Sequence, residues 1–190
     1  MSPDSNSTRH DRESVARAAL ALLDEVGLAD LSMRRIAARL EVQPSALYWH
    51  FENKQELLAD LADRITASIP VGSDDVLATA RGIRDALFTH RDGAELVLST
   101  YALQLGSARA QSALTEALRG EGVADAEERG AAVLHFVLGH STLVQQRMHA
   151  DSYGALPHSD ELDVTAGLDR VFTLGIEALA GRVSSDRNAR

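Results

Sequence analysis

The chain contains no cysteine. Disulfide frameworks, thiolate metal sites, iron–sulfur clusters and thiol catalysis are thereby excluded. Aromatic residues make up only 4% and prolines number four. No apolar run approaches the ~20 residues needed to cross a bilayer, so a membrane partner is not expected. Strand signals are almost absent, with no useful β-branched alternation and no hairpin dipeptide. Internal repeats and low-complexity tracts are missing too. The opening Met1-Ser2-Pro3-Asp4-Ser5-Asn6 has no apolar core and does not read as a signal peptide. A soluble, cytoplasmic protein is expected.

What is present is an ordinary globular balance, 45% hydrophobic and 25% charged over 190 residues. The net charge of −9 argues against a general nucleic-acid binder. Positive charge is needed only on a docking face, however. Between Leu31 and Lys54 stand Arg34, Arg35, Arg39 and Lys54 against only Glu41 and Glu52.

Helical periodicity dominates. Val15, Ala18, Ala19, Leu22, Leu23 and Val26 recur on one face, and Gly27 is a natural stop. Ser32 suits the cap of a second helix whose inner face is Ile36, Ala37 and Leu40. Pro44 suits the first turn of a third, from Ser45 to Phe51. Asn53 caps a fourth, with Leu57, Leu58, Leu61, Ile65 and Ile69 inward. Pro70 to Ser73 breaks the pattern. Helices are then expected over Asp74–His90, Ala94–Leu103, Ser107–Arg119, from a cap at Asp125 to His149, and over Asp160–Arg182, with a loop at Ala150–Ser159. The expectation is an all-α chain of about nine helices. It comprises a polar disordered tail (1–10), a helix-turn-helix unit (11–53), a larger helical unit (54–183) and a second tail (184–190).

Two short helices joined by a tight turn behind a longer one describe a DNA-reading helix-turn-helix, whose second short helix enters the major groove. Ser45 and Ala46 are small enough to approach base edges. Leu47 and Phe51, four apart, face inward together. Tyr48, Trp49 and His50 then project elsewhere, each with a donor suited to phosphate oxygens. Ser32, Arg34 and Arg35 open the preceding helix and Lys54 the following one. Taken singly, each of these could be a packing or solvated-surface residue; taken as a set, they favour DNA binding.

The string Leu31-Ser32-Met33-Arg34-Arg35-Ile36-Ala37-Ala38-Arg39-Leu40-Glu41-Val42, with Leu47-Tyr48-Trp49-His50-Phe51-Glu52-Asn53-Lys54-Gln55-Glu56-Leu57-Leu58, resembles the TetR (tetracycline repressor) family of bacterial transcription regulators. The resemblance implies that Arg34, Tyr48, His50 and Lys54 hold phosphates. It also implies that Ser45, Ala46 and Trp49 lie in or beside the groove. Glu41 departs from the pattern: the family often has glycine there. If Glu41 takes a positive φ, it carries modest strain.

In the second half, Thr89-His90-Arg91-Asp92-Gly93-Ala94 through Thr100, and His135-Phe136-Val137-Leu138-Gly139 with Gln145-Gln146, resemble the tetracycline repressors proper. This implies a homodimer built from two helices per subunit, with an effector pocket in each. The segment from Ala131 to Val144 is apolar nearly all round, as expected of a fully packed helix. The last helix turns Val164, Leu168, Val171, Phe172, Gly175 and Leu179 to one side. Phe136, Val137, Val144, Leu168, Phe172 and Leu179 are therefore the candidate dimer contacts, the plainer alternative being that these helices form the core of one subunit.

Where the tetracycline repressors carry a histidine for drug-chelated magnesium, this chain has Val97, which cannot coordinate a metal. No metal or cofactor is expected, and the small-molecule effector should be largely apolar and not tetracycline–magnesium. Candidate lining residues are Ile65, Ile83, Leu87, Val97, Tyr101, Leu134, Leu138 and Leu143, with Thr79 and Gln104 as polar anchors; core packing is the plainer role for each. His135 and His140 point ~140° apart on a helix, too far to share an ion easily.

The sequence thus favours a ligand-responsive repressor that binds a palindromic double-stranded DNA operator as a homodimer. Catalysis is not expected: Gly139-His140-Ser141 lacks the flanks of a nucleophile elbow, and no HExxH, P-loop or dinucleotide fingerprint occurs. A third class, an interaction module that lost operator binding, is opposed by the positive face at Arg34, Arg35 and Lys54.

Overall fold

The computed structural model describes residues 10–69, 72–106, 108–152 and 167–181. Most of both expected tails, Pro70, Ser107, Val164 and most of the 150–159 loop lie outside the described residues. Among the described residues all regular structure is helical. The elements are α1 Arg12–Val26, α2 Met33–Arg39, α3 Pro44–Leu47, α4 Lys54–Thr66, α5 Val76–Leu87, α6 Gly93–Ala102, α7 Ala108–Gly120, α8 Ala126–Ser152 and α9 Leu168–Leu179.

Local chemistry accounts for the helix starts. Asp11 and Ser14 form a reciprocal capping box on α1. Ser32 accepts from the Arg35 N–H on α2, Asn53 from the Glu56 N–H on α4, and Asp75 from the Leu77 and Ala78 N–H groups on α5. Pro44 opens α3, where its missing N–H leaves no bond unmade.

The helix ends are equally specific. The Val42 N–H donates to the Ala37 carbonyl and the Glu41 N–H to Ala38. That pair of bonds is a Schellman motif, which needs a left-handed residue at its centre. Glu41 takes that place, with φ 56°. The end of α6 repeats the motif, with Leu105 bonding back to Thr100, Gln104 to Tyr101, and Gln104 at φ 59°.

Three expectations are corrected. The third helix ends at Leu47, not Phe51; residues 48–50 form a turn. Phe51 must enter the core, where it is fully buried, and Asn53 must start α4 two residues later, so the chain bends before a second helical turn forms. Asp125 directly precedes α8, and its carbonyl accepts the Arg129 N–H at 3.0 Å from a backbone in the left-handed region at φ 56°. The long eighth helix runs on to Ser152, past the loop start expected at Ala150. Within the described residues, the last helix is regular from Leu168 only to Leu179.

One continuous core runs from α1 through α9, with Leu23, Leu31, Ile36, Leu47 and Phe51 at one end. Leu57 and Leu61 on α4 join it to Ile83, Leu87, Leu96, Leu134 and Phe172 at the other. Helix α4 packs on α1, α5, α6 and α7, and so links the short-helix unit to the rest. Helix α8 lies against α5, α6, α7 and α9.

Candidate nucleic-acid interface and effector cavity

The reading face is built where Leu47 and Phe51 anchor inward and the residues between them cannot follow. Trp49 is 88% exposed and Tyr48 52%, an unusual state for large aromatic side chains in a monomer. Ser45 is exposed, and Ala46 and His50 are half-buried beside them. The four cations divide into two pairs. Arg35 meets Asp30 at 3.3 Å and Arg39 meets Glu25 at 2.7 Å, so their charge is partly spent inside the fold. Arg34 and Lys54 have no acidic partner within salt-bridge reach among the described residues. These two lie at the starts of α2 and α4, either side of the exposed aromatics.

Arg12 was missed by sequence reasoning. Its guanidinium sits 4.2 Å from the Phe51 ring centroid and donates to the His50 carbonyl at 2.8 Å. It also meets Glu56 at 2.9 Å and Asp60 at 3.0 Å. The Glu56 hydrogen bond, then that of Asp60, raises the Arg12 pKa further. Glu56 falls below the usual carboxylate value because it accepts the Glu52 N–H and then the Arg12 guanidinium. Arg12 thereby ties the end of the reading turn to α4. Its partners lie 38 to 48 residues away, so no local pattern signals it.

A cavity of about 580 Å³ opens between α6, the α6–α7 loop, α7 and α8. Of the ten sequence candidates, only Tyr101 and Gln104 line it. Leu98, Gln111 and His135 complete its main walls. The Tyr101 hydroxyl donates to the Gln111 side chain at 3.2 Å, and its ring meets His135 edge-on, centroids 5.5 Å apart. Ile65, Thr79, Ile83, Leu87, Val97, Leu134 and Leu138 are buried in the core and do not reach this cavity. The Thr79 hydroxyl is used up on the Asp75 carbonyl of its own helix. Leu143 is 44% exposed, on the outer stripe of α8. Periodicity marks which residues face inward, but not whether inward means core or cavity. Gln104 was legible as polar; its position at the rim follows from its left-handed backbone.

The α6–α7 loop also touches α4. A side chain added at Gly106 would come within 3.1 Å of the Asp63 carboxylate and 3.3 Å of the Ala59 carbonyl. The cavity wall and the helix leading to the reading face are therefore in direct contact.

The candidate dimer residues divide as well. Val137 and Phe172 are fully buried within the subunit and Val144 nearly so. Phe136 is half-buried, its ring 6.1 Å from Phe172 and 5.7 Å from His140. Leu168 and Leu179 are half-exposed. The outward large apolar residues of α8 and α9 are instead Leu143, Met148, Val171 and Leu174. His140 is buried, its Nε2 3.0 Å from the Leu168 carbonyl, and burial first of all pushes its pKa down. Among the described residues no group of three or more His, Cys, Asp or Glu could hold a metal ion, and no helix is long and apolar enough to cross a membrane.

Residues 16–61 match the family described as "Bacterial regulatory proteins, tetR family". The chain is 34% identical to the tetracycline repressor protein class G of Vibrio anguillarum, over 90% of this chain and 92% of that one. The chain belongs to the TetR family. Among solved structures, BioQ of Mycobacterium smegmatis superposes with a TM-score of 0.78 at 35% identity, covering 92% of this chain and 99% of that one. BioQ bound to its natural double-stranded DNA operator gives 0.74 at 32%, covering 90% and 98%. A glutamine-to-alanine variant of TetR from Acinetobacter baumannii AYE, in complex with minocycline, gives 0.68 at 32%, covering 91% and 96%. TetR-family members are transcriptional regulators that bind DNA operators through an N-terminal helix-turn-helix and carry a helical C-terminal half.

Proposed function

We propose that this TetR-family chain is a cytoplasmic, ligand-responsive repressor. In this reading a homodimer holds a palindromic operator and releases it when a small effector enters the cavity. The reading unit ends at Asn53 and the effector-binding and dimerisation unit begins at Lys54. Arg34, Tyr48, His50 and Lys54 grip phosphates; Ser45, Ala46 and Trp49 address the groove; Ser32 and Arg35 flank them.

The observation that carries the ligand response is the contact of Gly106 with α4. An effector pressing on Tyr101 at the end of α6 and on Gln104 in the loop that follows must press on Ala59 and Asp63. Helix α4 then tilts and changes the separation of the two reading faces. Coupling follows because effector and DNA favour different separations. The effector is neutral and largely apolar: Leu98, Tyr101, Ala102, Gln104, Gln111 and His135 include no fixed charge. Val97 is buried where a magnesium-ligating histidine would be needed, which argues against tetracycline–magnesium.

Homodimerisation is supported by Leu143, Val171 and Leu174, three large apolar side chains left outward on adjacent helices. A two-fold operator is read by a two-fold protein.

The test is selection of bound duplexes from a random library at physiological salt, since affinity depends on salt. Enrichment of a two-fold symmetric site is expected. Folded, dimeric protein that enriches nothing would overturn the reading.

A further inference from the structure

The loop between α5 and α6 is braced from both sides, and no part of the DNA-reading or effector geometry above requires this. From α8, the buried Gln145 side chain holds it and the helix ends on either side of it by three bonds. Its carbonyl oxygen accepts the Ala94 N–H at 2.9 Å, and its amide donates to the His90 carbonyl at 2.9 Å and the Leu87 carbonyl at 3.4 Å. His149, one turn further along α8, meets Asp92 at 3.2 Å. On its other side, the same loop holds the C-terminal end of α1. Asp24 accepts from the Arg91 N–H at 2.9 Å and faces the His90 ring at 3.0 Å. Arg91 donates to the Glu25 carbonyl at 3.2 Å, and Asp92 accepts the Leu28 N–H at 2.8 Å.

The fit is close. A side chain at Gly27 would come within 2.8 Å of the Asp92 carboxylate. Asp92 itself is held in the left-handed region at φ 54°. Such a conformation persists only where its surroundings over-determine it. Hydrogen bonds that converge on one short loop from two helices fix the distance between those helices.

We propose that Gln145 is a positioning residue for the reading face. Through loop 88–93 it sets where the end of α1 stands, and so carries any shift of α8 to the helix-turn-helix by a route separate from α4. Helix α8 also bears His135 in the cavity wall and Leu143 on the outer apolar face, so a shift of α8 caused at either place can reach α1 along this line. This role of Gln145 rests on the DNA-reading function proposed above and holds whichever effector binds.

The absence of cysteine makes the test direct. Exposed Ala38 on α2 and exposed Glu116 on α7 are replaced by cysteine and spin-labelled. Labelled chain is mixed with excess unlabelled chain, and the intramolecular distance between the labels is read by pulsed electron resonance without DNA. One narrow distance is expected in the otherwise unaltered chain. Gln145→Met, which keeps the length and removes the amide, should shift or widen it by several ångströms. It should also weaken binding to the selected operator roughly threefold to tenfold, the scale of one net hydrogen bond. Asp24→Ala, at the exposed end of α1, should do the same without touching the core, and it decides the question if Gln145→Met does not fold. A purely structural role would lower the melting temperature and leave the distance as it was. An unchanged distance in the folded variants overturns the proposal.

Discussion

The Arg12 guanidinium lies 4.2 Å from the centroid of the Phe51 ring, and the Phe51 ring is the inward anchor of the turn that exposes Trp49. One cation from the first helix thus holds the last residue of the reading turn against the start of α4. Replacing Arg12 by alanine removes the ring contact and the bonds to the His50 carbonyl, Glu56 and Asp60 together. Roughly 1–2 kcal/mol of stability should go, since each partly exposed contact contributes at most about 1. Urea titration measures this. Operator affinity should fall alongside it, while Arg12→Lys recovers only part, because a lysine cannot serve ring, carbonyl and carboxylate at once.

The same cluster sets an acid limit. Glu56 is held below its usual 4.5 by the Glu52 N–H and Arg12. A carboxylate with a lowered folded pKa stabilises the fold above the unfolded value. That contribution is lost as pH falls below about 4.5 and through the folded value. Glu56→Gln should flatten this acid limb in melting temperatures recorded from pH 6 to pH 3; an unaltered limb would exclude the residue as its source.

His140 gives a second and opposite-charge case. Burial between Phe136 and Phe172 disfavours its protonated form and lowers its pKa from 6.5. Its folded pKa lies below its unfolded one, so stability is complete above 6.5 and declines as pH falls from there towards the folded value. In His140→Phe this decline should be absent. The variant loses the bond to the Leu168 carbonyl, so its stability at pH 8 should be lower by about 1 kcal/mol.

Glu41 carries a conformation that an L-residue adopts at a cost. Glu41→Gly removes that cost but adds unfolded-state entropy, so the net change should be stabilising by up to about 1 kcal/mol. Glu41→Val should destabilise by more than that, since a β-branched side chain fits a positive φ poorly. Thermal melts of the two variants should bracket the parent. Because the Schellman bonds remain in Glu41→Gly, operator preference should not change.

Arg34 and Lys54, the reading-face cations without an acidic partner among the described residues, should each neutralise one phosphate. In Arg34→Ala the slope of log affinity against log salt should fall by about one unit, uniformly across operator sequences, and Lys54→Ala should do the same. Arg35→Ala, with Asp30 already at 3.3 Å, should change the slope less. Slopes equal to the parent's in the first two variants would remove both residues from the phosphate contacts.

Much of this protein is written locally. Asp11, Ser32, Asn53 and Asp75 start helices because a short polar side chain can satisfy the first N–H groups wherever it stands. The stripe from Val15 to Leu23 faces inward because helical periodicity leaves it no other arrangement. The exposed Tyr48 and Trp49 were legible for the same reason: Leu47 and Phe51 claim the inner face, and neighbours in sequence must point elsewhere. The sequence by itself therefore determined the helices, the helix-turn-helix and its outward aromatics. Only the tertiary structure decided which cations stay available, because Asp30 and Glu25 reach Arg35 and Arg39 only after folding. It also separated buried Val97 and Leu134 from cavity-lining Tyr101 and Gln104, since periodicity reports direction and not what lies opposite. And it alone joined Arg12 to Phe51 and Gln145 to loop 88–93, because bonds between residues 38 to 55 positions apart leave no periodic trace along the chain.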